Sequence, residues 1–182
     1  MKRTQAPSSS TTETAAEPSP QPAETFDPFD ERVADIEAGS IVVGHDGSSG
    51  ANAALEVALQ LAHDLRVPIT IVRTWSIFDA PHPFGSPFGY APTFPELAAA
   101  VRESLEKDTS RLVARYPALQ LSLREVRAVP EEALPHLAKE ARMLVVGSRG
   151  LGAVRSALLG SVSVSILHRA ECPVLVVPEL ES

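Results

Sequence analysis

Residues 143–163 read MLVVGSRGLGAVRSALLGSVS, a short apolar run that leads into a glycine-rich segment and then into a helix start. The run at 143–146 has the length and composition of a strand buried on both faces of a parallel sheet. Gly147 and Gly150 follow it directly, and Gly160 stands before the serine that opens the helix. This succession of strand, glycine-rich turn and helix is typical of an α/β domain.

The rest of the chain repeats the alternation of strand and helix. Four further strands are predicted near residues 40–44, 68–75, 119–126 and 173–177, the first of them buried on both faces. Helices are predicted from residue 48 or 49 to 66, and over 95–116, 130–141 and 161–169. The alternation predicts an α/β fold, a doubly wound five-stranded parallel sheet of strand order 3-2-1-4-5 with helices on both faces.

In such a sheet, ligands bind beyond the carboxyl ends of the strands, at the point where the strand order reverses. The order 3-2-1-4-5 reverses between the first and fourth strands. Asp46 follows the first strand and Gly147 follows the fourth, so we expect both to face one crevice although a hundred residues separate them. An Asp before a glycine also commonly forms an Asx turn or caps a helix, and the two roles can coexist.

Composition divides the 182 residues into a tail and one domain. Residues 1–38 are rich in Ser, Thr, Pro, Glu and Ala, and carry three basic and eight acidic side chains. Such a segment buries too little apolar surface to offset the cost of ordering it, so we predict a disordered tail, with a docking or phosphorylated tail as the alternative. Residues 39–178 form the predicted domain, and residues 179–182 form a short C-terminal tail.

Charge and residue counts exclude several classes of function. The net charge is -7, most of it in the tail, so the domain is nearly neutral and has no basic face for nucleic acid. One cysteine, Cys172, and five histidines without HExxH spacing suggest no metal site. No apolar run approaches the ~20 residues that cross a bilayer. Polar residues follow Lys2 and Arg3 where a signal peptide would be apolar, so we expect a cytoplasmic protein.

The glycine-rich segment has the chemistry of a phosphate site. Gly147 and Gly150 leave the main chain bare, so an anion can approach its N–H groups. A helix that begins after Gly160 offers N–H groups without internal partners. The hydroxyls of Ser161 and Ser163 would add donors, and Arg149 and Arg155 would add positive charge. The spacing fits neither a Walker A loop nor the Rossmann fingerprint.

The spacing Gly-x-x-Gly, nine residues, then Gly-Ser resembles the nucleotide-binding signature of universal stress proteins, through Gly147, Gly150, Gly160 and Ser161. The chain is similar to that family elsewhere too, and the resemblance covers residues 39–178. Its other matching stretches are residues 41–48, 144–150, 159–163 and 168–177.

The resemblance implies a regulatory protein of the stress response that binds ATP with Mg²⁺. It implies no catalytic residue and at most slow ATP hydrolysis. It also implies a homodimer paired through the last strand, at Val174, Leu175, Val176 and Val177. The resemblance further implies that the adenosine contacts Asp46 and Thr74. It implies that the phosphates contact Gly147, Gly150, Gly160, Ser161, Val162 and Ser163.

Two departures from the family pattern leave alternatives open. Ala128 stands where the family commonly has glycine, and the Pro- and Phe-rich segment 76–94 is long enough to reshape the site. A dimeric scaffold of the same fold that binds no nucleotide is therefore the alternative function, with the glycines serving turns and helix–sheet contacts. A nucleotide α-hydrolase of similar fold is a third hypothesis, which would need catalytic side chains near the α-phosphate.

Overall fold

The computed structural model describes residues 36–81, 90–151 and 159–179, within which strands and helices alternate. All five strands are parallel, in the order β3-β2-β1-β4-β5, which confirms the predicted fold class. The elements are β1 (Ile41–Gly44), α1 (Ser49–Leu65), β2 (Ile69–Trp75), α2 (Phe94–Val113), β3 (Leu121–Arg127), α3 (Pro130–Leu137), β4 (Met143–Gly147), α4 (Ser161–Arg169) and β5 (Val174–Val177).

The sheet separates two apolar clusters, because successive side chains of a strand point to opposite faces. In β1, Ile41 and Val43 pack with α1 and with Leu105 of α2, while Val42 packs with α3 and α4. All three β1 side chains are fully buried, which explains why the strand is apolar at successive positions rather than at alternate ones. The helices thus cover both faces of the sheet.

Local sequence accounts for most helix ends. The Ser48 hydroxyl accepts the Ala51 N–H at 3.1 Å and caps α1. Arg66 is the C-cap that follows α1, and it has the left-handed conformation with φ 55°. The carboxylate of Glu96 accepts the Thr93 main-chain N–H at 2.8 Å, as in a capping box, so α2 starts at Phe94.

Two helices end earlier than the sequence predicts. Helix α2 ends at Val113 rather than at residue 116, and the chain then turns toward β3. Helix α3 ends at Leu137 rather than at residue 141, because the chain must turn before β4. The Arg142 N–H then donates to the Ser40 carbonyl at 2.8 Å and brings β4 beside β1.

Some predictions fall outside the described residues. They concern nearly all of the N-terminal tail, residues 82–89 of the Pro- and Phe-rich segment, residues 152–158 of the glycine-rich segment, and residues 180–182. Within the ranges that are described, no helix combines the length and the apolar character needed to cross a membrane.

Candidate functional site

A cleft of about 430 Å³ opens at the carboxyl ends of β1 and β4, where the strand order reverses. Its walls come from β1, β2, β4 and the segments that follow them, together with the starts of α3 and α4. All eight positions implied by the sequence line this cleft, namely Asp46, Thr74, Gly147, Gly150, Gly160, Ser161, Val162 and Ser163.

Asp46 connects the two sides of the strand reversal. Its Oδ1 accepts the Ser48 N–H at 3.0 Å, and its Oδ2 accepts the Leu151 N–H at 2.9 Å. Burial by itself raises the pKa of Asp46, but the hydrogen bonds from Ser48 and Leu151 outweigh burial and hold the pKa below its ordinary value of 3.8. Asp46 is therefore an ionised acceptor at neutral pH.

Gly147 and Gly150 are required by packing within the protein. A Cβ added to Gly147 would lie 2.8 Å from main-chain atoms of Gly50 in α1, and one added to Gly150 would lie 2.5 Å from Oδ2 of Asp46. The space that a side chain would occupy at both glycines is thus filled by α1 and by Asp46. Gly50 is equally constrained, because its Cβ would lie 2.6 Å from the Arg149 carbonyl oxygen.

The first turn of α4 faces the cleft. Gly160 is the N-cap, and the first main-chain bond within the helix runs from the Val164 N–H to the Gly160 carbonyl at 3.1 Å. The three preceding N–H groups, of Ser161, Val162 and Ser163, have no acceptor inside the helix and carry partial positive charge. A Cβ on Gly160 would make only ordinary contacts, at 3.6 Å and beyond. Packing therefore does not require glycine at this position.

The two serines of this turn play different parts. The Ser163 side chain is buried, and its hydroxyl donates to the Gly147 carbonyl at 2.7 Å. The sequence suggests this hydroxyl as a donor to an anion, and in the structure it attaches α4 to the end of β4. Ser161 is exposed on the cleft side and remains the hydroxyl available to a ligand.

The opposite wall of the cleft is mainly apolar. It contains Trp75 at the end of β2, Leu134 of α3, and Ala128, the position that departs from the family pattern. Thr74 lies between these groups and adds one hydroxyl. Asp79, which the sequence did not single out, also reaches the cleft, and its carboxylate accepts the Ser76 N–H at 2.6 Å.

Comparison with known families is decisive for classification. A family model described as the universal stress protein family matches residues 38–178. The chain belongs to the universal stress protein family. Universal stress protein Rv2623 of Mycobacterium tuberculosis is 30% identical over 139 residues, which are 76% of this chain and 45% of that protein. A Thermus aquaticus universal stress protein is 33% identical over 138 residues, which are 76% of this chain and 97% of that protein.

The chain spans about half the length of the first mycobacterial universal stress proteins it matches, such as Rv2623. Among solved structures, a universal stress protein in complex with cAMP is 28% identical, with a TM-score of 0.57, covering 79% of this chain and 98% of that one. A universal stress protein from Archaeoglobus fulgidus in complex with dAMP is 23% identical, with a TM-score of 0.54, covering 76% of this chain and 96% of that one. This second likeness supports the fold alone.

Sequence reasoning missed one buried polar group of this universal stress protein domain. Arg73 lies within the apolar strand β2, and its guanidinium contacts the ring and the carbonyl of His45. His45 is also buried, and its pKa is lowered from 6.5 first of all by burial. The signal in the sequence is an arginine flanked by apolar residues in a central strand.

Within residues 36–81, 90–151 and 159–179, no cluster of three or more His, Cys, Asp or Glu side chains could hold a metal ion. The cleft itself presents two carboxylates, Asp46 and Asp79, and each already accepts a main-chain N–H.

Proposed function

We propose that this universal stress protein domain binds an adenine nucleotide, ATP with Mg²⁺, and acts as a regulator rather than an enzyme. The observation that carries the proposal is the start of α4, which opens into the cleft at the β1–β4 reversal with three main-chain N–H groups free of helix acceptors. The proposed binding unit is residues 39–178, with the segments 1–38 and 179–182 outside it.

The two walls of the cleft suit the two ends of a nucleotide. The apolar wall around Trp75 and Leu134 can pack against a base, while Thr74 and Asp46 offer polar atoms for ribose or base. The phosphates would then lie at Ser161 and near Arg149. The cleft volume of about 430 Å³ falls within the range of small-molecule sites. The 28% identical universal stress protein solved with cAMP supports an adenine nucleotide as the ligand class.

Mg²⁺ fits this arrangement as part of the ligand. The ion commonly keeps several waters and binds through substrate phosphates and one or two carboxylates, not through an all-protein cage. The described residues offer no such cage, so phosphate oxygens and water would supply most of its ligands.

A regulatory role is supported by the titratable groups at the cleft. In the described part of the chain these are His45, Asp46, Asp79 and Arg149. Asp46 and Asp79 accept main-chain N–H groups, and His45 is held by a buried arginine. No described lysine lines the cleft to contact a γ-phosphate. We therefore propose little or no hydrolysis, and signalling through nucleotide-dependent contacts of a dimer or a partner.

Calorimetric titration with ATP and Mg²⁺ tests the proposal. Arg149→Ala should weaken ATP binding several-fold, because it removes positive charge beside the phosphates. Arg142→Ala is a matched control, since Arg142 is exposed and precedes β4 at the opposite end of the strand. No binding at millimolar ATP, or equal loss in both variants, would contradict the proposal.

The second candidate is a dimeric scaffold of the same fold that binds no nucleotide. Ala128 at the apolar wall favours it, because a side chain stands there where the family commonly has glycine. Ala128→Gly distinguishes the candidates. If the scaffold role is right because Ala128 fills part of the cleft, the wild type does not bind ATP and Ala128→Gly gains binding. Wild-type ATP binding that Ala128→Gly leaves unchanged would contradict the scaffold. Release of AMP and pyrophosphate during the titration would instead favour a hydrolase.

A further inference from the structure

Arg73 of β2 contacts both the segment after β1, which carries Asp46, and helix α2. Its Nε donates to the His45 carbonyl at 3.0 Å, and one terminal nitrogen lies 2.8 Å from Nδ1 of the His45 ring. The other terminal nitrogen donates to the Ser104 hydroxyl at 3.1 Å, and Asp108 of α2 pairs with the guanidinium at 2.9 Å. The Arg73 side chain is only 10% exposed, so its guanidinium is largely shielded from water, whereas Asp108 is partly open to solvent.

These contacts determine which nitrogen of the neutral His45 ring carries the proton. A guanidinium only donates hydrogen bonds, so Nδ1 facing Arg73 must be an acceptor without a proton. The proton of the neutral ring then lies on Nε2, which donates to the Asn52 Oδ1 at 3.2 Å. Both ring nitrogens are thus satisfied only when His45 is neutral. A second proton on Nδ1 would face the Arg73 cation and would lack an acceptor.

The network lies directly against the Asp46 turn. His45 and Gly47 flank Asp46 in the chain, and a Cβ on Gly47 would come within 3.3 Å of Asp108 and 3.4 Å of Arg73. We propose that Arg73 and His45 are positioning residues for Asp46, and that protonation of His45 displaces Asp46 and weakens ligand binding. The ligand part rests on the proposed nucleotide site, whereas the displacement of Asp46 does not.

The direction of the pH dependence follows from the groups that face His45. Burial has the largest effect on the pKa of His45 and lowers it, and the positive charge of Arg73 in β2 lowers it further. The hydrogen bond to Asn52 and the negative charges of Asp46 and Asp108 raise the pKa. The pKa of His45 is lowered overall from its ordinary value of 6.5. His45 is therefore mainly neutral in the folded protein at pH 7, and it gains a second proton at a lower pH than a free histidine does. The pKa of Asp46 is held below its ordinary value of 3.8 by its hydrogen bonds.

A ligand-free NMR titration tests the positioning step. As the pH falls, the amide signals of Leu151 and Ser48, which donate to Asp46, should shift with the same midpoint as the His45 ring. His45→Asn keeps an acceptor near the place of Nδ1 but cannot titrate, so it should abolish this shift. His63→Asn should retain the shift, since His63 is an exposed histidine of α1. Amide signals that ignore His45 protonation would overturn the inference.

ATP affinity tests the ligand step. Wild type and His63→Asn should bind ATP about tenfold more weakly below the His45 midpoint than at pH 7.5, a common size for coupling between sites. His45→Asn should lose this pH dependence, and the comparison at each pH cancels the titration of ATP itself. A wild-type profile that matches His45→Asn overturns the coupling. If wild type binds at no pH, the proposed function and its pH coupling fail, and the amide shifts still decide whether the pair positions Asp46.

Discussion

The carboxylate of Asp46 accepts a hydrogen bond from the main-chain N–H of Leu151 at 2.9 Å, across 105 residues of sequence. The other carboxylate oxygen accepts the Ser48 N–H, so one side chain joins the turn after β1 to the segment after β4. The Asp46 carboxylate therefore links the two sides of the cleft by hydrogen bonds within the protein.

Replacing Asp46 by Asn should reduce stability at pH 7 and change its acid dependence. The pKa of Asp46 is lower in the folded protein than its ordinary value of 3.8, so its stabilising effect is present above pH 3.8 and disappears as pH falls through the folded pKa. Because Asp46 is exposed to the cleft, we expect a loss of about 1 kcal/mol at pH 7. Urea denaturation at pH 7 and pH 2.5 measures the difference.

Glu103→Gln, at an exposed position of α2, is the control for removing one carboxylate. The gap between wild type and Asp46→Asn should be smaller at pH 2.5 than at pH 7. A gap of the same size at both pH values would contradict an ionised acceptor at this position.

Replacing Gly147 by Ala should destabilise the domain by about 1–3 kcal/mol, because the new Cβ would meet main-chain atoms of Gly50 that cannot rotate away. Gly160→Ala should cost less than about 1 kcal/mol, because a Cβ there makes ordinary contacts and only the N-cap preference is lost. Thermal denaturation of the two variants provides the comparison. Equal losses would show that α1 moves to accommodate the new methyl group.

Ser163→Ala should mainly reduce stability, whereas Ser161→Ala should mainly reduce ATP affinity. Ser163→Ala leaves the Gly147 carbonyl without its buried donor, so we expect a stability loss of about 1 kcal/mol and ATP affinity within about twofold of wild type. Ser161→Ala should retain stability and weaken ATP binding, because that hydroxyl is exposed at the cleft. Denaturation curves and ATP titrations on both variants test this, and a strong binding defect confined to Ser163→Ala would reverse the assignment.

The proposed dimer should depend on β5, an edge strand whose main chain is unpaired on one side within the described sheet. Val174→Lys should shift the protein toward monomer in sedimentation equilibrium, because a charge is introduced beside the pairing edge. Val129→Lys is the matched control, since Val129 is exposed and follows β3 at the other edge of the sheet. A wild type that is monomeric at high concentration would exclude the dimer.

Strands β1 and β4 were predictable because they are short and apolar at successive positions, a pattern that burial on both faces produces. The strand order followed from handedness and resemblance, and it brought Asp46 near the glycine-rich segment as expected. Helix ends were less predictable, because the end of α3 depends on a bond between Arg142 and Ser40 that local sequence does not reveal.

The roles of individual groups at the cleft were the hardest to predict. A glycine that admits an anion and one that admits a neighbouring helix look identical in sequence, and Gly147 is of the second kind. The Ser163 hydroxyl similarly gives no sign that it will donate to a carbonyl sixteen residues away. The arginine within β2 was a visible anomaly, but its partners come from separate elements that only the fold assembles.

The main-chain contact between Gly50 and the Gly147–Arg149 segment also limits how the cleft can change. The closest contacts there are between main-chain atoms, so substitution cannot adjust their spacing by small steps. The wall around Thr74 and Ala128 is built from side chains and can be altered one group at a time. Redesign toward a different base would therefore begin at β2 and the start of α3, with the side near α4 kept unchanged.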